Sequence, residues 1–357
     1  MGVSGQQLIS FLNCTFRLAF LVLFTAAAMT VKYARASMTV LIGEPYGVFG
    51  TVLPVGHASI YLDRVCAETP LQLRMCRPDE PMGVVISRYH HLGQYDWLAS
   101  PVMEYLYSVE RADQVPEFVT KETEDRLREQ FRKGYLRSVV PDEIDRDRQE
   151  DEWYETSGAA FDRKLWGYQL DTTEEQDARL IETLNARPNQ RLYHVRTANC
   201  AGFVAGIVNF YFPQTVRANK VADWGIVTPK QVARSILTFG KAHPEEHLRL
   251  IEVPQLPGTL HRSHPVWGIS ELFLKTKRYC ATMVIIQPAA IVADLVLYEK
   301  SGRFRLGAGH ESIDPDFWEQ PSEDQTADRT TDSNPAATQN KVENSVPFFD
   351  SRKVTVF

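Results

Sequence analysis

Alternating apolar residues mark the first third of the chain as strands, and a 3.6-residue period marks much of the middle as helix. Met38 to Ile42 reads as a strand, which Gly43-Glu44-Pro45-Tyr46-Gly47 breaks. Within Val52 to Val65, Ile60 and Leu62 alternate with Tyr61 and Asp63, as in a half-buried strand that opens at His57. Leu71 to Met75 and Val84 to Tyr89 are the next two strand candidates. Val102 to Val109 is an apolar run that suits a strand or a short helix.

Helical signals follow. Thr120 to Arg137 carries Glu122, Glu124 and Asp125 early and Arg132, Lys133 and Arg137 late, matching the helix dipole. Pro141 to Glu155 is dense in charge and reads as a solvated excursion. Thr173-Glu174-Glu175-Gln176 is a capping box whose helix ends before Pro188. Leu192 to Val195 reads as a brief strand. Asn199 caps a helix that begins at Cys200 and sets Phe203, Val204, Ile207, Val208 and Tyr211 on one face. Thr228-Pro229 opens another helix, which Gly240 closes. Met283 to Ile286 and Ile291 to Tyr298 read as strands, with Gln287, Pro288 and Asp294 arguing against a membrane span.

The ends differ from the middle. Arg17, the apolar run Leu18 to Val31, and Ala34-Arg35-Ala36 before Ser37 form the pattern of a secretory signal. Export to the periplasm or the exterior is the expectation. The run falls short of the roughly 20 apolar residues of a spanning helix. Lys32 leaves an uncleaved anchor open, and with it membrane association through residues 18–31. Beyond Gly307 the chain is rich in Asp, Glu, Ser, Thr, Pro and Asn, a composition that favours disorder. The expected division is a leader at 1–36, a main domain at 37–240, a β-rich extension at 241–307 and an acidic tail at 308–357.

Composition narrows the function. A formal charge of −6 over 357 residues argues against a nucleic-acid footprint. The chain has no Walker loop, no dinucleotide glycine fingerprint and no Gly-x-Ser-x-Gly elbow. His243 and His247, and His261 and His264, have helical spacing, but Pro244 and Pro265 spoil it. No metal and no cofactor is expected, and the oligomeric state is open. Past Ser37 the cysteines are Cys66, Cys76, Cys200 and Cys280. Cys66 and Cys76 flank a short loop and either form a disulfide in an oxidising compartment or stand as two unrelated thiols.

The candidate chemistry is a thiol and an imidazole. At a helix N-terminus the Cys200 thiol meets the dipole and free N–H groups, which favour thiolate. The N–H of Cys200, with Asn199 as cap, suits an oxyanion hole. His57 is the candidate base, and His90-His91 could supply a base or the residue that orients one. Asp63, at the far end of the His57 strand, is a turn residue.

Gly56-His57-Ala58-Ser59 on a strand, followed by Asn199-Cys200 opening a helix, resembles the circularly permuted papain-like group, in which histidine precedes cysteine. That group includes permuted NlpC-type peptidases and the lecithin:retinol acyltransferase family. The Gly43–Gly47 break, the capped helix from Thr173 to Ala186 and the segment Tyr193 to Val195 are similar to the periplasmic domain of the lipoprotein N-acyltransferase (Lnb) family. Residues 38 to 215 carry the resemblance. It implies an α+β fold, with an antiparallel sheet packed on the cysteine helix and helical insertions. It implies acyl transfer through a Cys200 thioester, with His57 as base, acting on a lipoprotein, a lipid or a cell-wall peptide of the envelope. After Cys200 the residues Ala-Gly-Phe-Val depart from the Lnb continuation, and a third catalytic residue is not evident. The alternative is an envelope binding or structural domain that keeps the fold without catalysis.

Overall fold

The computed structural model describes residues 35–46, 55–77, 83–90, 92, 95–140, 153–220, 223–276, 280–281, 285, 288–299 and 304–319. The strands are β1 (Arg35–Gly43), β2 (His57–Leu62), the hairpin β3 (Val65–Thr69) and β4 (Gln72–Met75), β5 (Val84–Ser87) and β6 (Leu98–Pro101). Helices α1 (Val102–Tyr107), α2 (Lys121–Phe131) and α3 (Ala159–Asp162) follow, then strand β7 (Leu165–Thr173). Helices α4 (Glu174–Asn185), α5 (Cys200–Tyr211) and α6 (Pro229–Ala242) come next, then β8 (Arg249–Val253), α7 (Ile269–Lys275), α8 (Pro288–Leu297) and β9 (Glu311–Ser312).

This is an α+β protein. Seven strands form one sheet in the order β6-β5-β2-β1-β7-β8-β9, antiparallel except for the β8–β9 edge. Period-2 alternation sorts the central strands between two cores. Met38, Val40, Ile42, Ala58, Ile60 and Leu62 face α4, α5 and α6. Leu41, Tyr61 and Val85 face α1 and α3 on the other side. Burial on both faces explains why β1 reads as an almost unbroken apolar run.

Several expectations are corrected. Leu192–Val195 is no strand; only an isolated His194–Ala198 bridge forms there. Ile291–Tyr298, read as a strand, is helical from Pro288, because Ala, Leu and Asp dilute the β-branched residues. Most of Met283–Ile286 lies outside the described residues. Gly240 does not end its helix; it lies inside α6, where a Cβ would meet Leu248 Cβ at 2.7 Å. Among its described residues the 241–307 segment includes β8, α7 and α8, and β8 joins the main sheet. Val102–Tyr107 resolves to a helix. Residues 308–319 of the expected tail fold back, adding β9 and burying Ile313 and Trp318. Residues 1–34 and 320–357, with the candidate leader and most of the tail, lie outside the described residues.

Strands β6, β7, β8 and β9 escaped the sequence reading. β7 pairs with β1 over nine residues, and Trp166, Tyr168 and Leu170 alternate towards the α4–α6 core. Gly167 interrupts that pattern because Ile251 of β8 packs over it: a Cβ there would lie 2.4 Å from Ile251 Cγ1. β8 itself is hidden among charged residues, with only Ile251 and Val253 fully buried. Cys66 and Cys76 are joined by a disulfide across the β3–β4 hairpin, with Cα atoms 4.9 Å apart. Among the described residues no helix is long and apolar enough to cross a membrane.

Candidate functional site

The N-terminus of α5 is built by Asn199. Its side-chain oxygen accepts from the Gly202 N–H at 2.6 Å, and its amide donates to the carbonyls of Val195 (2.7 Å) and Val227 (3.1 Å). One side chain therefore caps the helix and straps two loops to it. Arg88, just past β5, reinforces the cap. Its guanidinium pairs with Asp96, donates to the Asn199 carbonyl at 3.4 Å and lies over the Phe203 ring.

His57 opens β2 after Gly56, whose φ of +82° and close approach to the Gly43 carbonyl exclude a side chain. Ser59 and Tyr61 point to the α1 face, Ser59 Oγ lying 2.9 Å from Tyr105 Oη. Alternation sends His57 the same way, while Ala58 faces α5. The β2–β5 ladder stops at Ile60–Ile86. Beyond it, Ser87 Oγ donates to the Ala58 carbonyl at 2.8 Å and lies 2.8 Å from His57 Nε2. The hydroxyl has one proton, for which the Ala58 carbonyl and His57 Nε2 compete. Nδ1 faces the Glu155 carboxylate at 3.7 Å. Tyr89 stacks on the ring at 5.3 Å.

Cys200 is buried, and its sulfur receives the N–H groups of Ala58 and Ala201. The thiol thus meets the sheet at the residue following His57, where β2 and β5 have parted. Burial pushes the thiol up from its ordinary value; the two N–H groups and Arg88 pull it down, and Glu155 raises it. Burial drives His57 down to about 4, opposed by Glu155 and assisted by Arg163. Burial would raise Glu155, but Arg163 at 3.1 Å, and then His57, hold it below the usual carboxylate range. At neutral pH the resting state is a thiol, a neutral imidazole and a carboxylate.

Glu155 was read as part of the solvated 141–155 stretch, and the structure turns it inward. Trp153 and Thr156 are buried on either side of Tyr154 and Glu155 in the 3-10 turn Tyr154–Thr156. Arg128 of α2 holds that turn by donating to the carbonyls of Ser157 (3.0 Å) and Gly158 (3.1 Å) and pairing with Asp162 and Glu124. The buried Trp153 is the signal in the sequence. Charge density hid it, because Glu155 is charged for a partner rather than for water.

The remaining candidates separate. His90 is exposed, its ring edge-on to Tyr193 at 4.9 Å. The position beside His57 goes to Tyr89 instead. His91 lies outside the described residues. The Tyr193 hydroxyl sits at both the thiol and the N–H of Cys200, so that N–H is occupied in the resting structure. Asp63 holds the turn after β2, accepting from the Ser37 N–H and hydroxyl at 2.8 and 2.9 Å. Among the described residues no three His, Cys, Asp or Glu side chains converge as a metal site.

No protein-family model matches the chain, and no curated protein matches it. One solved structure aligned with it is the crystal structure of a type VI secretion system effector, TseH. The identity is 15%, the alignment covers 62% of this chain and 94% of that one, and the TM-score is 0.29. So loose a superposition leaves the site to be judged on its own geometry.

Proposed function

We propose that the chain is a cysteine-dependent acyl-transfer enzyme on a permuted papain-like frame. The observation that supports this most is the convergence, at the split end of β2 and β5, of the Cys200 thiol with the strand that presents a serine-held, carboxylate-faced His57. Cys200 Sγ attacks an acyl carbonyl while the His57 imidazole takes the thiol proton. Glu155 stabilises the imidazolium so formed, and Ser87 holds the ring through Nε2. The carbonyl oxygen, now negative, takes the Cys200 N–H that Tyr193 occupies at rest. The imidazolium returns its proton to the leaving group, which departs with the bond it held to the acyl carbon. Water, an amine or a hydroxyl then attacks the thioester, and Cys200 is released as thiol.

Placement of this chemistry in the cell envelope rests on the signal-like N-terminus and gains support from the Cys66–Cys76 disulfide, which suits an oxidising compartment. A lipoprotein, a lipid or a cell-wall peptide, in the manner of an Lnb-like acyltransferase or an amidase, is the proposed substrate class.

A second reading, a binding domain that retains the fold, draws on a specific observation. Burial pushes both Cys200 and His57 towards their uncharged forms, and both ring nitrogens already face other groups. The two readings part on acylation. Full-length protein is incubated with a p-nitrophenyl acyl ester and the adduct is mapped by peptide mass. The enzyme reading expects the acyl group on Cys200, absent in Cys200→Ala and slower in His57→Ala. Acylation only at Cys280, or an equal yield without His57, supports the binding domain instead.

A further inference from the structure

Among the described residues, the exposed large apolar side chains are Phe118 and a second group, Leu192, Val195, Trp224, Ile285, Val292, Leu295 and Val296. The second group belongs to three segments linked to the cap of α5. Asn199 ties Val195 and Val227 together. The turn before Val227 holds Trp224 at a φ of +52°. Asp223 in that turn accepts from the Ile269 N–H of α7 at 2.9 Å, and Glu271 of α7 accepts from the Tyr298 hydroxyl, just past α8, at 3.5 Å. The exposure is large: 73% for Leu192 and 82% for Ile285. Val292, Leu295 and Val296 fall at helical spacing within α8, as an apolar stripe does.

The charge beside the first two of these segments is one-sided. From Arg187 to Val227 the chain carries Arg187, Arg191, Arg196, Arg217 and Lys220 against a single carboxylate, Asp223, and that carboxylate is buried. The rest of a chain of net charge −6 is correspondingly more acidic. We infer that this face docks on an anionic lipid bilayer and holds the mouth of the Cys200 site at the membrane surface. Apolar side chains and a tryptophan entering the headgroup region, ringed by cations, are what an interfacial surface requires. Self-association of two copies would bring the same arginines face to face, a like-charge contact that disfavours it. α8 lies on the bilayer rather than through it: its ten residues span about 15 Å, half of the hydrocarbon thickness. The chain on either side of it, through β8 and β9, returns to one sheet.

The test does not depend on catalysis. In full-length protein carrying Cys14→Ser, Cys200→Ala and Cys280→Ser, one cysteine is introduced at Val195, at Val292 or at Phe118 and labelled with an environment-sensitive fluorophore. On phosphatidylcholine–phosphatidylglycerol vesicles, the labels at 195 and 292 shift to the blue and are quenched by brominated acyl chains. The label at 118 does neither, and added salt weakens the response. Three results overturn the inference. The first is labels at 195 and 292 that behave like 118 while the protein floats with the vesicles, which leaves docking to the N-terminal segment. The second is a shift at only one of the two sites. The third is a shift that follows protein concentration without vesicles, which makes the occupant a second copy.

Discussion

Replacing Glu155 by Gln removes one charge and keeps the shape of the side chain. The carboxylate stands 3.7 Å from His57 Nδ1, with side-chain exposures of 15% and 9%. At an effective dielectric of about 20, that separation is worth about 4 to 5 kcal/mol to an imidazolium. Solvent contact, and the hold of Arg163 on the same carboxylate, reduce it to about 2 to 4 kcal/mol. Acylation of Cys200, which passes through that imidazolium, slows by about 30- to 1000-fold. The same charge opposes a thiolate at Cys200. Its removal therefore lowers the thiol pKa and speeds alkylation by iodoacetamide above pH 7. The assay is a pair of rates on one protein, ester acylation and alkylation of Cys200, both mapped by peptide mass, with the thermal midpoint as a folding control. The two rates move in opposite directions, which a merely structural role for Glu155 does not produce. If both rates change less than about threefold, or both fall together with the thermal midpoint, the assignment of Glu155 is wrong.

Three other outcomes follow from the structure. Asp177 is fully buried beside Tyr211, and burial raises it to about 7 from an ordinary 3.8. A carboxyl whose pKa is higher folded than unfolded lends its stability below pH 4 and loses it as pH rises through 7, a change of about 4 kcal/mol. Asp177→Asn should therefore unfold at higher urea than the parent at pH 8, with the two curves converging near pH 4; a constant gap between them contradicts the assignment. Asn199→Ala removes the α5 cap and two strapping hydrogen bonds. It should cost about 2 to 4 kcal/mol in chemical denaturation, and a loss under 1 kcal/mol shows that the loops hold themselves. Replacing both Cys66 and Cys76 by Ser opens a bridge between residues ten apart. It should lower stability by about 3 kcal/mol, while acylation of Cys200 by the ester, measured well below the new midpoint, stays within twofold.

Local chemistry alone determined much of this protein. The Asn199 cap, the one-sided face of the Cys200 helix, the Thr173 capping box and the strand opening at His57 each depend on residues within about two turns of one another. They are readable because caps and periodicity are local. The order of histidine strand and cysteine helix was legible for the same reason. Tertiary structure decided the rest. Ser87 is a strand residue like many others until the β2–β5 ladder ends beside it and its hydroxyl meets the His57 ring. Glu155 looks solvated until Arg128, from a helix 27 residues earlier, pulls its turn against the sheet. Gly167 looks like a break in a strand until Ile251 fills the space above it. Partners far apart in sequence pair through the sheet, so the groups that set the charge state of Cys200 and His57 leave little trace in their own neighbourhood.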